Sequence, residues 1–175
     1  MKPKLVILSD LWGKEKSDWV LDYVIVLKDK FEIEYYDSCQ LGGINEVLNT
    51  EEHRHNQFLN GGIDKAVENL VSLEKDKINI LAFSIGGTIA WRSILKGLKV
   101  GTLIAVSSTR LRYETQVPDC KIKLYFAEND IYRPDVSWFK KHQIDFEIVE
   151  NENHQMYLQK DFIHLICDEI LNHKP

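Results

Sequence analysis

The sequence predicts a doubly wound α/β fold, a mostly parallel six-stranded sheet with helices on both faces. Two observations carry this. Six short runs, at 4–9, 32–36, 78–83, 102–107, 122–127 and 146–149, are mostly near-continuously apolar and rich in Val, Ile and Leu. That is the pattern of parallel strands buried on both faces. Between them lie helix-like stretches at 17–28, 62–73, 86–95, 136–142 and 156–172. Alternating strand and helix requires right-handed crossovers, which stack the strands into one parallel sheet. With 175 residues, 44% of them hydrophobic, the chain is expected to form a single domain over 1–175.

The first strand, 4–9, runs straight into Ser9-Asp10-Leu11-Trp12-Gly13, and a helix is expected from 17. After the second strand comes a long polar connection, 37–61, hinged by Gly42-Gly43 and Gly61-Gly62. Connections of that length form a rim over a site or a short extra helix. Within it, Glu51-Glu52-His53-Arg54-His55 has metal-ligand residue types, but its density of charge reads as a solvated helix face, with no metal site. The third strand, 78–83, ends at a serine flanked by small residues, Ala82-Phe83-Ser84-Ile85-Gly86, and turns at once into a helix. The helix at 136–142 has Asp135 available as its cap. In the last helix Tyr157, Phe162, Leu165, Ile166, Ile170 and Leu171 recur at helical spacing, which makes that face core.

The formal net charge of −5 argues against nucleic acid or an anionic membrane surface as partner, since both require a basic face. Cys39, Cys120 and Cys167 are odd in number and far apart, which suggests reduced thiols. No stretch approaches the ~20 apolar residues of a membrane span, and the first apolar run is too short for a signal peptide. A cytoplasmic protein is expected.

Ligands of an open α/β sheet bind beyond the carboxyl ends of its strands. Those ends present Ser9-Asp10-Leu11-Trp12, then Asp37-Ser38, Ser84, Ser107-Ser108-Thr109, Glu128-Asn129-Asp130 and finally Glu150 to His154. A serine, an acid and a histidine therefore follow one another in chain order. A serine hydroxyl is a poor nucleophile until a base takes its proton. Histidine suits that task near neutral pH, and a carboxylate holds the ring in the required tautomer. Ser84 and His154 are the candidates for the first two roles. Asp130 and Glu128 both stand near enough in sequence for the third, with Asp130 favoured because it lies beyond the strand.

These segments resemble the α/β-hydrolases, specifically small members without a cap domain. AFSIGG is similar to the family's turn bearing the nucleophile, with alanine in the first glycine position. LYFAENDIYRP resembles its acid loop, ENENHQMY its histidine loop, and LVILSDLWG the segment that supplies half of its oxyanion hole. The resemblance implies Ser84 as nucleophile, Asp130 as acid and His154 as base. It further implies the Ile85 amide as one oxyanion donor, and the Leu11 amide, or that of its neighbour Trp12, as the other. Asp10 departs from the family, which often has His-Gly where this chain has Ser9-Asp10. A carboxylate facing an oxyanion would oppose catalysis, so Asp10 must point elsewhere. The connection from 107 to 122 is too short for a cap, which predicts a shallow open groove. Its rim is expected from Trp12, the 37–61 connection, Tyr113, Tyr132, Gln155 and Met156, with Trp12, Tyr113, Tyr132 and Met156 as candidate substrate walls. The implied activity is hydrolysis of an ester, thioester or related small-molecule acyl compound, without cofactor or metal. An acyltransferase, or a binding protein with an idle triad, are the alternatives on the same fold. Neither substrate nor oligomeric state is legible.

Overall fold

The computed structural model describes residues 2–172. Six strands, β1 (Lys4–Leu8), β2 (Glu32–Tyr36), β3 (Ile78–Phe83), β4 (Val100–Val106), β5 (Lys121–Ala127) and β6 (Asp145–Val149), form one sheet in the order β2-β1-β3-β4-β5-β6. Every neighbouring pair is parallel. All carboxyl ends therefore open on one edge, and the order reverses between β1 and β3, where such sheets place their ligand crevice.

Period-two alternation divides the core into two layers. Leu5 and Ile7 of β1, with Phe83 of β3, face α1 (Val20–Leu27) and α7 (Lys160–Asn172). Val6, Leu8, Ile80 and Ala82 face the opposite layer of α2 (Ser38–Gly42), α4 (Ile63–Leu73), α5 (Ile85–Leu95) and α6 (Val136–His142). Phe83, the last residue of β3, is the hub of an aromatic cluster, with ring centroids 4.7 Å from Trp19, 5.0 Å from Tyr23 and 5.4 Å from Tyr157. Packing at this point anchors the turn that follows it.

Three stretches differ from the sequence expectation. The helix expected from 17 begins at Val20, after a separate one-turn 3-10 helix, Gly13–Lys16. That turn is pinned by Asp37, whose carboxylate accepts from Lys14 N–H (2.7 Å) while capping α2 through Cys39 N–H (2.7 Å) and Gln40 N–H (3.2 Å). The 37–61 connection holds two helices, α2 and α3 (Glu51–Gln57), and ends in a wide turn, Phe58–Gly62, in which Gly61 takes φ +107°. Thr50 caps α3, its hydroxyl accepting from His53 N–H at 3.3 Å. The final helix breaks at Gln159, which is extended (φ −87°, ψ 134°). This leaves a 3-10 turn, Met156–Leu158, ahead of α7.

Candidate active site

Ser84 sits between β3 and α5 with φ +49° and ψ −119°, a conformation rarely adopted by a side-chain-bearing residue. The turn is held from both sides: Ser84 N–H donates to Val106 O (3.0 Å), and Thr109 N–H donates to Ser84 O (3.3 Å). Strand and helix pass so closely that a Cβ on Gly86 would lie 2.5 Å from the Ser9 carbonyl oxygen. Ala82, in the first small position, is fully buried and pairs with Leu8 and Ala105 across the sheet.

His154 arrives on the loop after β6. Its Nε2 lies 3.1 Å from Ser84 Oγ, and its Nδ1 lies 2.8 Å from Asp130 Oδ2. Asp130 is 5% exposed, and its second carboxylate oxygen accepts from Tyr132 N–H at 2.9 Å. Glu128 faces another way, accepting from Asn151 N–H at 2.9 Å. Of the two candidate acids, Asp130 is the one that reaches the ring. Tyr132 stands edge-on to the imidazole at 5.3 Å and Tyr157 at 6.2 Å.

Ile85 opens α5, and the first amides of a helix have no intrahelical acceptor. Across from it, no described residue accepts from Leu11 N–H. Trp12 N–H is already taken, because it donates to Asp10 Oδ1 at 2.9 Å. Of the two amides considered in this loop, that leaves Leu11. Asp10 itself is 3% exposed and accepts from Tyr157 O–H at 3.0 Å with its other oxygen. Burial pushes its carboxyl above the ordinary value, partly offset by the Trp12 and Tyr157 hydrogen bonds and by His154.

These groups line a cavity of about 420 Å³, partly open to solvent, together with Glu51, Glu52 and His55 of α3, Thr109 and Gln155. The structure brings Ser84, His154, Ile85, Leu11, Trp12 and Tyr132 into its wall. Two expected wall residues are elsewhere. Met156 is fully buried, because the 3-10 turn carries it into the core beside Tyr157, which is also buried and borders the cavity. Tyr113 is 58% exposed and stacked by Arg110 and Arg112, because its turn drives Leu111 inward. Helix α3, within the 37–61 connection expected at the rim, walls one side of the cavity, which stays partly open with Ser84 in its wall. The Glu51–His55 stretch is only partly a solvated face: Arg54 is fully buried. No group of three or more His, Cys, Asp or Glu among the described residues could hold a metal ion. Glu51 and His55 are one helical turn apart, a spacing visible in the sequence, but which face meets the cavity depends on where α3 docks.

No protein-family model and no curated protein sequence matches the chain. Solved structures do. A protein from Xanthomonas campestris pv. campestris assigned to the α/β superfamily of hydrolases superimposes with a TM-score of 0.69, covering 98% of each chain at 15% identity. The fold is that of the α/β-hydrolases. Within this fold, carboxylesterase CesB from Bacillus subtilis matches 97% of this chain and 82% of its own at 12% identity, with a TM-score of 0.60. An α/β-hydrolase enzyme from a sediment metagenome of the Mar Chica lagoon, Morocco, covers 98% and 91% at 14% identity, with a TM-score of 0.67. The brevity of the chain and its six parallel strands fit an α/β-hydrolase fold without a cap. No helix among the described residues is long and apolar enough to cross a membrane.

Proposed function

We propose that the protein is a serine hydrolase that cleaves an ester, thioester or related acyl compound through an acyl-enzyme on Ser84. The relay from Ser84 Oγ to His154 Nε2 (3.1 Å) and from His154 Nδ1 to Asp130 Oδ2 (2.8 Å) carries this reading. Ser84 Oγ attacks the substrate carbonyl carbon as its proton passes to His154 Nε2. The carbonyl π electrons move onto oxygen, and the oxyanion is met by the Leu11 and Ile85 amides. Such donors act only where charge develops, so their effect falls on the transition state. The tetrahedral species collapses, the leaving group departs with the proton from His154, and the acyl group stays on Ser84. Water then attacks the ester, giving its proton to His154. The second collapse releases the acid and returns the proton to Ser84. Asp130 stabilises the imidazolium in both halves and is not itself protonated. The carboxylesterase among the structural neighbours supports the substrate class by fold analogy alone.

A fluorophosphonate probe tests the reading directly, because it labels only a serine activated by a base. Wild-type protein is expected to label at Ser84, identified by peptide mass, and Ser84→Ala is expected not to label. An unlabelled wild type would show the triad to be idle.

A further inference from the structure

The loop from Asp10 to Gly13 contains three peptide groups, and their polar atoms are engaged with one exception. Asp10 C=O accepts from Gly13 N–H (3.3 Å) and from Ser9 Oγ (3.1 Å). Leu11 C=O accepts from the Cys39 thiol (3.1 Å), and Trp12 N–H donates to Asp10 Oδ1 (2.9 Å). Trp12 C=O accepts from Arg54 Nη1 (3.2 Å). The exception is Leu11 N–H, which meets no acceptor among the described residues, on a residue that lines the cavity with Ser84.

Two of these restraints come from residues distant in sequence. Arg54 is fully buried on α3, and its guanidinium donates to Cys39 Sγ (3.2 Å), Glu15 Oε2 (2.7 Å) and Asn49 Oδ1 (3.0 Å), with Glu46 Oε2 at 3.0 Å. A buried cation must be fully paired to be tolerated, so each of these bonds fixes its position. Cys39, on α2, passes that restraint onward: its sulfur accepts from Arg54 while its proton goes to Leu11 C=O. Burial, reinforced by Asp37, pushes the thiol up to about 12, so it keeps the proton it donates. The Leu11–Trp12 peptide is thereby clamped at its carbonyl by Cys39 and at its N–H by Asp10.

We propose that Arg54 and Cys39 are positioning residues that hold the Leu11 amide toward the developing oxyanion, although neither lines the cavity. This rests on the acyl-hydrolase reading above. An amide aimed at the oxyanion contributes to the transition state and not to substrate binding, so loosening it lowers kcat and leaves KM nearly alone. A merely structural role would instead show as altered stability, or as losses in kcat and KM together.

Cys39→Ala removes the donor, whereas Cys39→Ser restores an O–H at the same place. Arg54→Lys keeps the charge but has no fork to span Trp12 and Glu15 together. Each variant is melted to verify folding, then assayed for kcat and KM on an activated ester and for inhibition by an alkyl boronic acid. The boronic acid forms a tetrahedral adduct with Ser84 and probes the oxyanion hole separately from substrate. Cys39→Ala and Arg54→Lys are expected to lower kcat by roughly 10- to 100-fold and weaken the boronic acid in parallel, with KM within about twofold. Cys39→Ser is expected to recover most of the loss. Folded Cys39→Ala with wild-type kcat and wild-type boronic acid affinity would overturn the proposal, as would a loss confined to KM. If Arg54→Lys fails to fold, the Cys39 pair decides. The hydrolase reading fails separately, by Ser84→Ala retaining full turnover. Fluorophosphonate labelling at Ser84 combined with silent Cys39 variants would sink only the positioning role.

Discussion

Asp10 brings a carboxyl into the wall of a cavity where negative charge would form, and its environment shows how that is accommodated. Both oxygens are occupied, by Trp12 N–H and Tyr157 O–H, and burial favours the neutral acid. The stability consequence has a definite sign. A folded-state pKa raised above the unfolded value gives stabilisation that is present below the unfolded value, about 3.9, and lost as pH rises through the folded one. At neutral pH Asp10 therefore contributes less to stability than it does in acid. Asp10→Asn keeps an acceptor for Trp12 N–H, so the variant is expected to melt higher than wild type at pH 7. The difference should shrink as pH falls below about 4, where Asp10 becomes neutral in the unfolded state as well. Thermal melts across that range check it; a pH-independent difference would show that burial of the charge is not the cause. Ser84 and His154 act as one unit. Each alanine variant is expected to lower turnover of an activated ester by about 10⁴-fold or more, with the double variant little worse than either single. Multiplicative losses in the double variant would place the chemistry elsewhere.

At the scale of elements, the junction of β3 and α5 is where geometry is tightest. A methyl on Gly86 would meet the Ser9 carbonyl oxygen at 2.5 Å and Leu8 Cβ at 3.0 Å, and Leu8 ends the buried strand β1 while Ser9, equally buried, follows it. Gly86→Ala is expected to cost about 1–3 kcal/mol, read as a lowered urea midpoint at unchanged m-value. It should also lower turnover, because the displaced helix carries the Ile85 amide. Unchanged stability would mean that β1 and α5 separate more easily than their packing indicates. The small helices of the 37–61 connection matter for a different reason. α2 and α3 are too short to persist alone, and α2 is held by the Asp37 cap while α3 is held by its buried Arg54. Their contribution is to deliver Cys39 and Arg54 behind the Asp10–Gly13 loop and Glu51, Glu52 and His55 in front of it.

For the molecule as a whole, the sheet gathers groups from the ends of β1, β3, β5 and β6 at one edge, and α3 supplies a polar wall opposite them. The cavity of about 420 Å³ is walled but partly open, so few contacts can measure the length of an acyl chain. Across acetyl to hexanoyl esters, kcat/KM is expected to vary by well under the roughly 10- to 200-fold per methylene that closed apolar pockets achieve. A steep optimum at one chain length would mean that α3 closes over bound substrate.

The strand–helix alternation, the parallel sheet and the order serine, acid, histidine were all legible from the sequence. They follow from local rules: apolar runs make buried strands, and small residues mark a tight strand-to-helix turn. The choice of Asp130 over Glu128 was already favoured by its position beyond the strand, and the hydrogen bond to Nδ1 agrees with it. What only the tertiary structure decided depends on how separate elements dock. Tyr157 was read as core by its spacing and is core, but Met156 was read as a wall, and a 3-10 turn carries it into the core beside Tyr157. Arg54 read as solvated because nothing in its own segment shows that Glu15, Glu46 and Trp12 converge on it. Burial of a charge is set by partners distant in sequence, and helical spacing says which residues share a face, never what that face will meet.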